Sequence, residues 1–361
     1  MTPAFVPGAQ LARLLYGHVA PVLAARGLPH TAALVGPGSD VLGLDDATST
    51  DHDWGPRLQV LLSPADHARH AAALHDELRH VLPDEVGGWT TRAAAPAADG
   101  TRGQGVGDPG TPVEHRVEIL TLDTLLTRVL GDVRPPLAVA DWLVVPQQRL
   151  LSLTAGVVLH DDLGLEDVRA HLAGYPRDVW LYQQASAWWA IAEDAHLAPR
   201  AGMAGDDLGS RLVTARVCRT AILLAFLQAR RYAPYDKWLG TAFRGLPASD
   251  GLRTPIDRAL AAADWETRQR ALGQVLVGLL RGHNALAITP PVPEETVPFH
   301  ARPFEVVDAE GVARLLLASV TDPDVRSLAR RRPVGGIDLV TQSAALATDV
   351  ALTSTLRGLY T

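Results

Sequence analysis

The apolar run Thr31-Ala32-Ala33-Leu34-Val35, cut off by Gly36-Pro37-Gly38, constrains the fold of this chain more than any other feature. A short apolar segment stopped by glycine and proline marks a buried strand ending in a tight turn. Ser39 stands at the tip of that turn. There the missing Cβ of Gly38 lets backbone N–H groups approach an anion, and the Ser39 hydroxyl can donate to the same oxygens. After eleven further residues comes Asp51-His52-Asp53. If that segment is extended, residues two apart share a face, so Asp51 and Asp53 point together and His52 points away. Two carboxylates on one face can reach one hard cation, which prefers oxygen ligands and keeps substrate phosphates in its shell.

A two-metal phosphoryl-transfer site commonly takes a third acid, and Val117-Glu118-Ile119-Leu120 supplies Glu118 within an apolar segment that reads as another strand. Asp45 and Asp46 read instead as loop caps, and Arg57 is better placed than His52 to meet a phosphate. Other site types are excluded by pattern: the chain has no glycine-x-serine-x-glycine elbow, no Walker lysine loop and no Cys-x-x-Cys pair.

Gly38-Ser39 with Asp51 and Asp53 resembles the signature of the DNA polymerase β-like nucleotidyltransferase superfamily. More narrowly, Gly38-Ser39-Asp40-Val41-Leu42-Gly43, Asp51 to Arg57 and Arg231 to Gly240 resemble an uncharacterised bacterial family that joins such a domain to a C-terminal helical domain. The resemblance implies an α+β fold: an N-terminal nucleotidyltransferase-type mixed sheet with flanking helices, then a C-terminal helical bundle. Pro135-Pro136, where the periodicity turns helical, divides the chain into domains at 1–135 and 136–361. The resemblance also implies Mg2+, two ions, held by Asp51, Asp53 and Glu118, with a nucleoside triphosphate as substrate. Gly38 and Ser39 would grip its outer phosphates, and Arg57 or Lys237 would stabilise departing pyrophosphate. The acceptor would be a hydroxyl on a small molecule, a protein or an RNA end. Two other classes stay open: a nucleotide-binding regulator without turnover, and an antitoxin-like interaction protein.

Composition is compatible with this and excludes other classes. The 361 residues suffice for two cores, and 47% hydrophobic with 20% charged residues is ordinary globular material. A net charge of −7 argues against a long nucleic-acid backbone as the principal ligand. No apolar stretch is long enough for a bilayer and no secretory pattern opens the chain, so a cytoplasmic location is expected. The lone Cys218 lies among apolar helical residues and reads as a buried structural thiol.

Periodicity places a helix over 11–25, a strand over 58–62 and a helix over 65–81. His67, His70, His75 and His80 lie on that second helix without a cysteine or well-spaced carboxylate to complete a zinc site. Residues 92–112, rich in alanine, glycine and proline, read as a mobile loop. Beyond Pro136 the pattern is almost wholly helical, and Trp180, Trp188 and Trp189 read as core packing or a helix interface rather than a base-stacking platform. Lys237 is the only lysine in the chain. Retention of one compact ammonium among arginines points to a triphosphate contact or a structural ion pair.

Overall fold

The computed structural model describes residues 3–98, 101–108, 110–331 and 333–360. The chain divides into two compact units: 1–136 with 149–173, and 137–148 with 174–361. Pairing of Val157–Asp161 with the strand at His30–Leu34 brings the later segment into the first unit. That strand falls in a stretch to which the almost wholly helical reading beyond Pro136 gave no strand. Its residues are half-buried at a sheet edge, and its apolar run Val157-Val158-Leu159 is only three residues long.

The first unit carries, among the described residues, a four-stranded mixed sheet. Its elements run α1 (Gly8–Ala25), β1 (His30–Leu34), α2 (Ser39–Leu42), β2 (Arg57–Leu62), α3 (Pro64–Val81), the short pair β3 (Glu85–Val86) and β4 (Trp89–Thr90), β5 (Arg116–Leu120) and α4 (Leu122–Leu130). The strand Val157–Asp161 is β6, after α5 (Val139–Val144) and α6 (Gln147–Thr154), and α7 (Leu165–Leu172) follows it. The sheet order is β5-β2-β1-β6. β1 lies antiparallel to both neighbours, and β2 lies parallel to β5. A parallel neighbour needs a crossover, and α3 begins it: Ser63 accepts from the Asp66 N–H, and Pro64 takes the first helical position.

All five residues of β1 are buried, as the uninterrupted apolar run requires of a strand covered on both faces. Leu15, Val19 and Leu23 of α1 and Leu74 and Leu78 of α3 pack with Leu58, Val60 and Leu62 of β2 and Val117 of β5. Burying each such aliphatic side chain contributes about 2 kcal/mol. A second cluster gathers Leu11, Trp54 and Trp89 with Phe5 and Val6.

The second unit is helical, with α8 (Arg177–Asp194), α9 (Leu197–Met203), α10 (Asp207–Gln228), α11 (Asp236–Phe243), α12 (Ser249–Ala261), α13 (Trp265–Ala285), α14 (Ala309–Ala318) and α15 (Pro323–Ala329) as its longer elements. Trp180 and Trp188 are buried, and Trp180 donates its indole N–H to Leu227 O at 2.6 Å. Cys218 is buried too, and desolvation pushes its thiol up to about 12, so it is no nucleophile. No helix of the described residues is long and apolar enough to cross a membrane.

Candidate nucleotide and metal site

The turn after β1 is built around a buried ion pair. The Asp40 carboxylate, 2% exposed as a residue, receives Arg57 Nε at 2.8 Å and Nη2 at 2.7 Å, and Nη2 also donates to Pro37 O at 2.9 Å. Burial by itself would lower the arginine pKa. Asp40, with further pulls from Glu118 and Asp53, instead holds it above its usual value. Gly38, at φ +141°, is required here, because a Cβ would stand 2.3 Å from Asp40 Oδ1 and 2.4 Å from Arg57 Nη2. Gly38 therefore makes room for the ion pair, a demand that the phosphate argument from sequence did not contain. Ser39 opens the one-turn helix α2.

The segment bearing the aspartates is not extended. Ala47–Asp51 forms a 3-10 turn capped by Asp46, and Asp53 adopts a left-handed conformation at φ +46°. Strand alternation therefore does not apply: His52 turns back, with Nδ1 3.0 Å from Asp51 Oδ1. The physical cause is the anchoring on either side. Asp45 Oδ2 accepts the Gly8 N–H at 2.7 Å and the Trp54 indole N–H at 2.8 Å, and Trp54 stacks on Phe5 and abuts Trp89 edge-on. Pinned at Asp45 and Trp54, the intervening chain must turn. Asp51 and Asp53 both remain exposed.

Residues expected to form a mobile loop hold this turn from above. Asp53 N–H donates to Arg102 O at 2.8 Å, and Asp53 Oδ1 accepts the Arg102 N–H at 3.0 Å. Gln104 donates to Trp54 O at 2.9 Å, as does Arg116 Nη1 at 2.7 Å, and Arg116 Nη2 reaches Arg102 O. Ala93 bridges Gln104, and Gly105 passes so near Ala93 that a Cβ would lie 2.6 Å from its carbonyl. The glycines expected to give flexibility allow close backbone packing instead.

Glu118 stands on β5 in register with Gln59 of β2, two residues along from the Arg57–Arg116 pair. Gln59 is buried and links the strands: its Oε1 accepts the Val35 N–H at 3.1 Å, and its Nε2 donates to Glu118 Oε2 at 3.3 Å. Glu118 is half exposed and also pairs with Arg128 at 3.1 Å. Exposed carboxylates are the hard donors that magnesium takes. Their spacing is another matter. Among the described residues, the one set of three histidine, cysteine or carboxylate groups whose ligand atoms all lie within 4.8 Å of one another is His30, His160 and Asp162. Asp51, Asp53 and Glu118 form no such set.

The profile of a family described as a domain of unknown function, DUF4037, matches residues 142–239. Of the candidate residues, that span holds Lys237 alone. No curated protein matches the chain. Among solved structures, the chain is similar to a nucleotidyltransferase-like protein from Exiguobacterium sibiricum 255-15, 12% identical, over 75% of each chain with a TM-score of 0.32. At that score the likeness adds nothing to the geometry above.

Lys237 lies exposed on α11 of the second unit, its ammonium 5.1 Å from the centre of the Trp238 ring. Sequence reasoning missed Asp40, Gln59 and Arg116. A signal existed for Gln59, a polar residue at the centre of the apolar run Leu58 to Leu62. Asp40 and Arg116 gave none, since charged residues just after a turn or at a strand end are usually solvated.

Proposed function

We propose that the first unit binds a nucleoside triphosphate with magnesium and transfers its nucleoside monophosphate to a hydroxyl acceptor, releasing pyrophosphate. The observation that carries this reading is the glycine-serine turn closed over the Asp40–Arg57 pair at the start of β2, with Glu118 two residues along on the paired strand β5. Magnesium, when bound, would neutralise phosphate charge and orient the reacting oxygens. Asp51, Asp53 and Glu118 would hold it, and Glu118 alternatively would take the acceptor proton. Ser39 and the Gly38 backbone would donate to the outer phosphates. Arg57, committed to Asp40, would keep that turn in shape. Lys237 stays with the expectation drawn from sequence.

Asp51 with His52, and Glu118 with Arg128, are exposed pairs with side chains about half to two-thirds accessible. Such exposed pairs are weak and screened by solvent, so cation binding can displace both. The test is pyrophosphate release in cell extract supplied with labelled triphosphates and magnesium, with mass spectrometry of whatever gains the nucleoside monophosphate. Asp51→Asn with Asp53→Asn should abolish it while far-ultraviolet circular dichroism stays unchanged; undiminished release by the double variant would remove the proposal.

A second reading, nucleotide binding without turnover, is favoured by the ungathered acids and by the Arg57 guanidinium being taken up by Asp40. Calorimetry with triphosphate and magnesium separates the two, since binding with no pyrophosphate release selects this reading. Absence of nucleotide binding would leave the interaction protein, of the antitoxin-like kind.

A further inference from the structure

At the opposite end of β1 from the glycine turn, antiparallel pairing assembles a different set of donors. Ala32 lies opposite His160, and the ladder continues past the strand through the Asp162 N–H to His30 O at 3.0 Å. Residues two apart in each strand share a face, so His30, His160 and Asp162 meet on one side of the β1–β6 pair. The His30 and His160 rings stack at 4.4 Å, and Asp162 Oδ2 lies 2.8 Å from His160 Nε2 and 3.2 Å from the His30 backbone nitrogen. We propose that these three side chains bind a divalent transition-metal ion of the zinc class, a site independent of the nucleotide reading.

The donor chemistry and the orientation of each group support it. Two imidazoles and one carboxylate suit zinc, with the fourth tetrahedral position left to water. His30 Nδ1 lies 2.9 Å from Leu28 O and donates its proton there, which fixes the tautomer and leaves Nε2 with its lone pair. A backbone carbonyl holding the far nitrogen is how metal-binding histidines are commonly oriented. The neighbouring Asp161 is not available, because its carboxylate already accepts from Thr31 Oγ1 and from the backbone N–H groups of Leu163, Leu165 and Glu166 at the start of α7. Asp162 has no such duty beyond this cluster. His30 is buried, whereas the side chains of His160 and Asp162 are 40% and 43% exposed, so an ion has a path in. Bound there, it would join the first strand of the sheet to the end of β6, the strand supplied by the returning segment 149–173.

One feature competes for the same lone pair: the Tyr16 hydroxyl stands 2.9 Å from His30 Nε2 and must rotate aside. The experiment therefore includes it. The full chain carrying Asp51→Asn and Asp53→Asn, so that the carboxylate loop contributes nothing, is freed of metal by chelator and titrated with cobalt(II), followed by zinc(II). One cobalt per chain with intense tetrahedral visible absorption, displaced by zinc, is expected. His160→Ala and Asp162→Asn should each weaken binding at least about tenfold at unchanged circular dichroism. If His160→Ala loses its fold, the surface substitution Asp162→Asn decides. Tyr16→Phe should bind at least as tightly as the parent. Absence of the tetrahedral band in the parent, undiminished affinity in Asp162→Asn, or loss of binding in Tyr16→Phe would each overturn the site.

Discussion

The two ends of β1 gather chemistry by different means. At the His30 end, the ligand atoms lie within 4.8 Å of one another because strand register puts them there. At the Gly38 end, the acids sit on a 3-10 turn, a left-handed residue and a parallel edge strand, and the buried Asp40–Arg57 pair stands at their junction. Ladder hydrogen bonds repeat along a strand, so a site built on register tolerates the loss of any one contact. A site built on loops depends on a few buried polar groups that have no substitute.

The sharpest test of that contrast is Asp40→Ala, which leaves Arg57 charged, largely buried and without its partner. We expect a loss of about 4 kcal/mol in denaturant unfolding. Replacing both members, Asp40→Leu with Arg57→Met, should cost much less, because no charge is stranded. Equal losses in the single and double variants would mean that the pair does not organise the turn.

Acid should loosen the edge strand that carries Glu118. His115, just before β5, donates from Nε2 to His75 O at 3.1 Å and accepts the Val117 N–H on Nδ1 at 3.1 Å, a combination open only to neutral imidazole. Burial, with His75 and Arg79 nearby, lowers its pKa to about 4. The folded value lies below the unfolded one of about 6.5, so the unfolded chain binds the proton first. Stability is therefore full above pH 6.5 and declines as pH falls toward 4, by up to about 3 kcal/mol. Desolvation lowers His30 as well, which adds to the decline in the same direction. Unfolding free energy measured across that range should lose most of its slope in His115→Gln; a slope that persists would place the acid sensitivity elsewhere.

A smaller and more local effect separates two glycines of the same turn. Gly36 and Gly38 both have positive φ, but a Cβ at Gly36 meets nothing within 4 Å, whereas at Gly38 it strikes the ion pair. Gly36→Ala should cost about 1 kcal/mol from backbone strain alone, and Gly38→Ala about 3. Similar values, read from thermal or denaturant midpoints, would show that the ion pair yields easily. The least effect on stability belongs to Glu118→Gln, within about 0.5 kcal/mol since its partner Arg128 is as exposed as it is. Pyrophosphate release should nonetheless be lost. Retained release would take Glu118 out of the proposed machinery.

Much of the first unit was legible in the chain. The run ending at Gly36-Pro37-Gly38, the apolar stretches at 58–62 and 117–120 and the helix opened by Ser63-Pro64 all stand near where periodicity put them, because each carries its own local signal. Gly38, Asp53 and Glu118 were legible as residue types in order. The conformation of Asp51 to Asp53 was not, since it follows from Trp54 being buried against Phe5 and Trp89, and from backbone contacts with residues 102–104. The histidine cluster had no signal at all. His30 and His160 are 130 positions apart, and the histidines that drew attention on α3 lie elsewhere: His67 is bonded to Ile119 O.

The sequence by itself determined the chemistry available: oxygen donors and a glycine turn in order, strands followed by helices, one buried thiol, one lysine. Such properties reside in residue type and short-range period, which the chain carries wherever it folds. Only the tertiary structure decided which donors meet. Pairing of β6 with β1 depends on segments more than a hundred residues apart, and the Asp40–Arg57 lock depends on a turn closing over a strand end. Neither contact has an energy until both partners have left water together, and so neither leaves a mark on the local pattern.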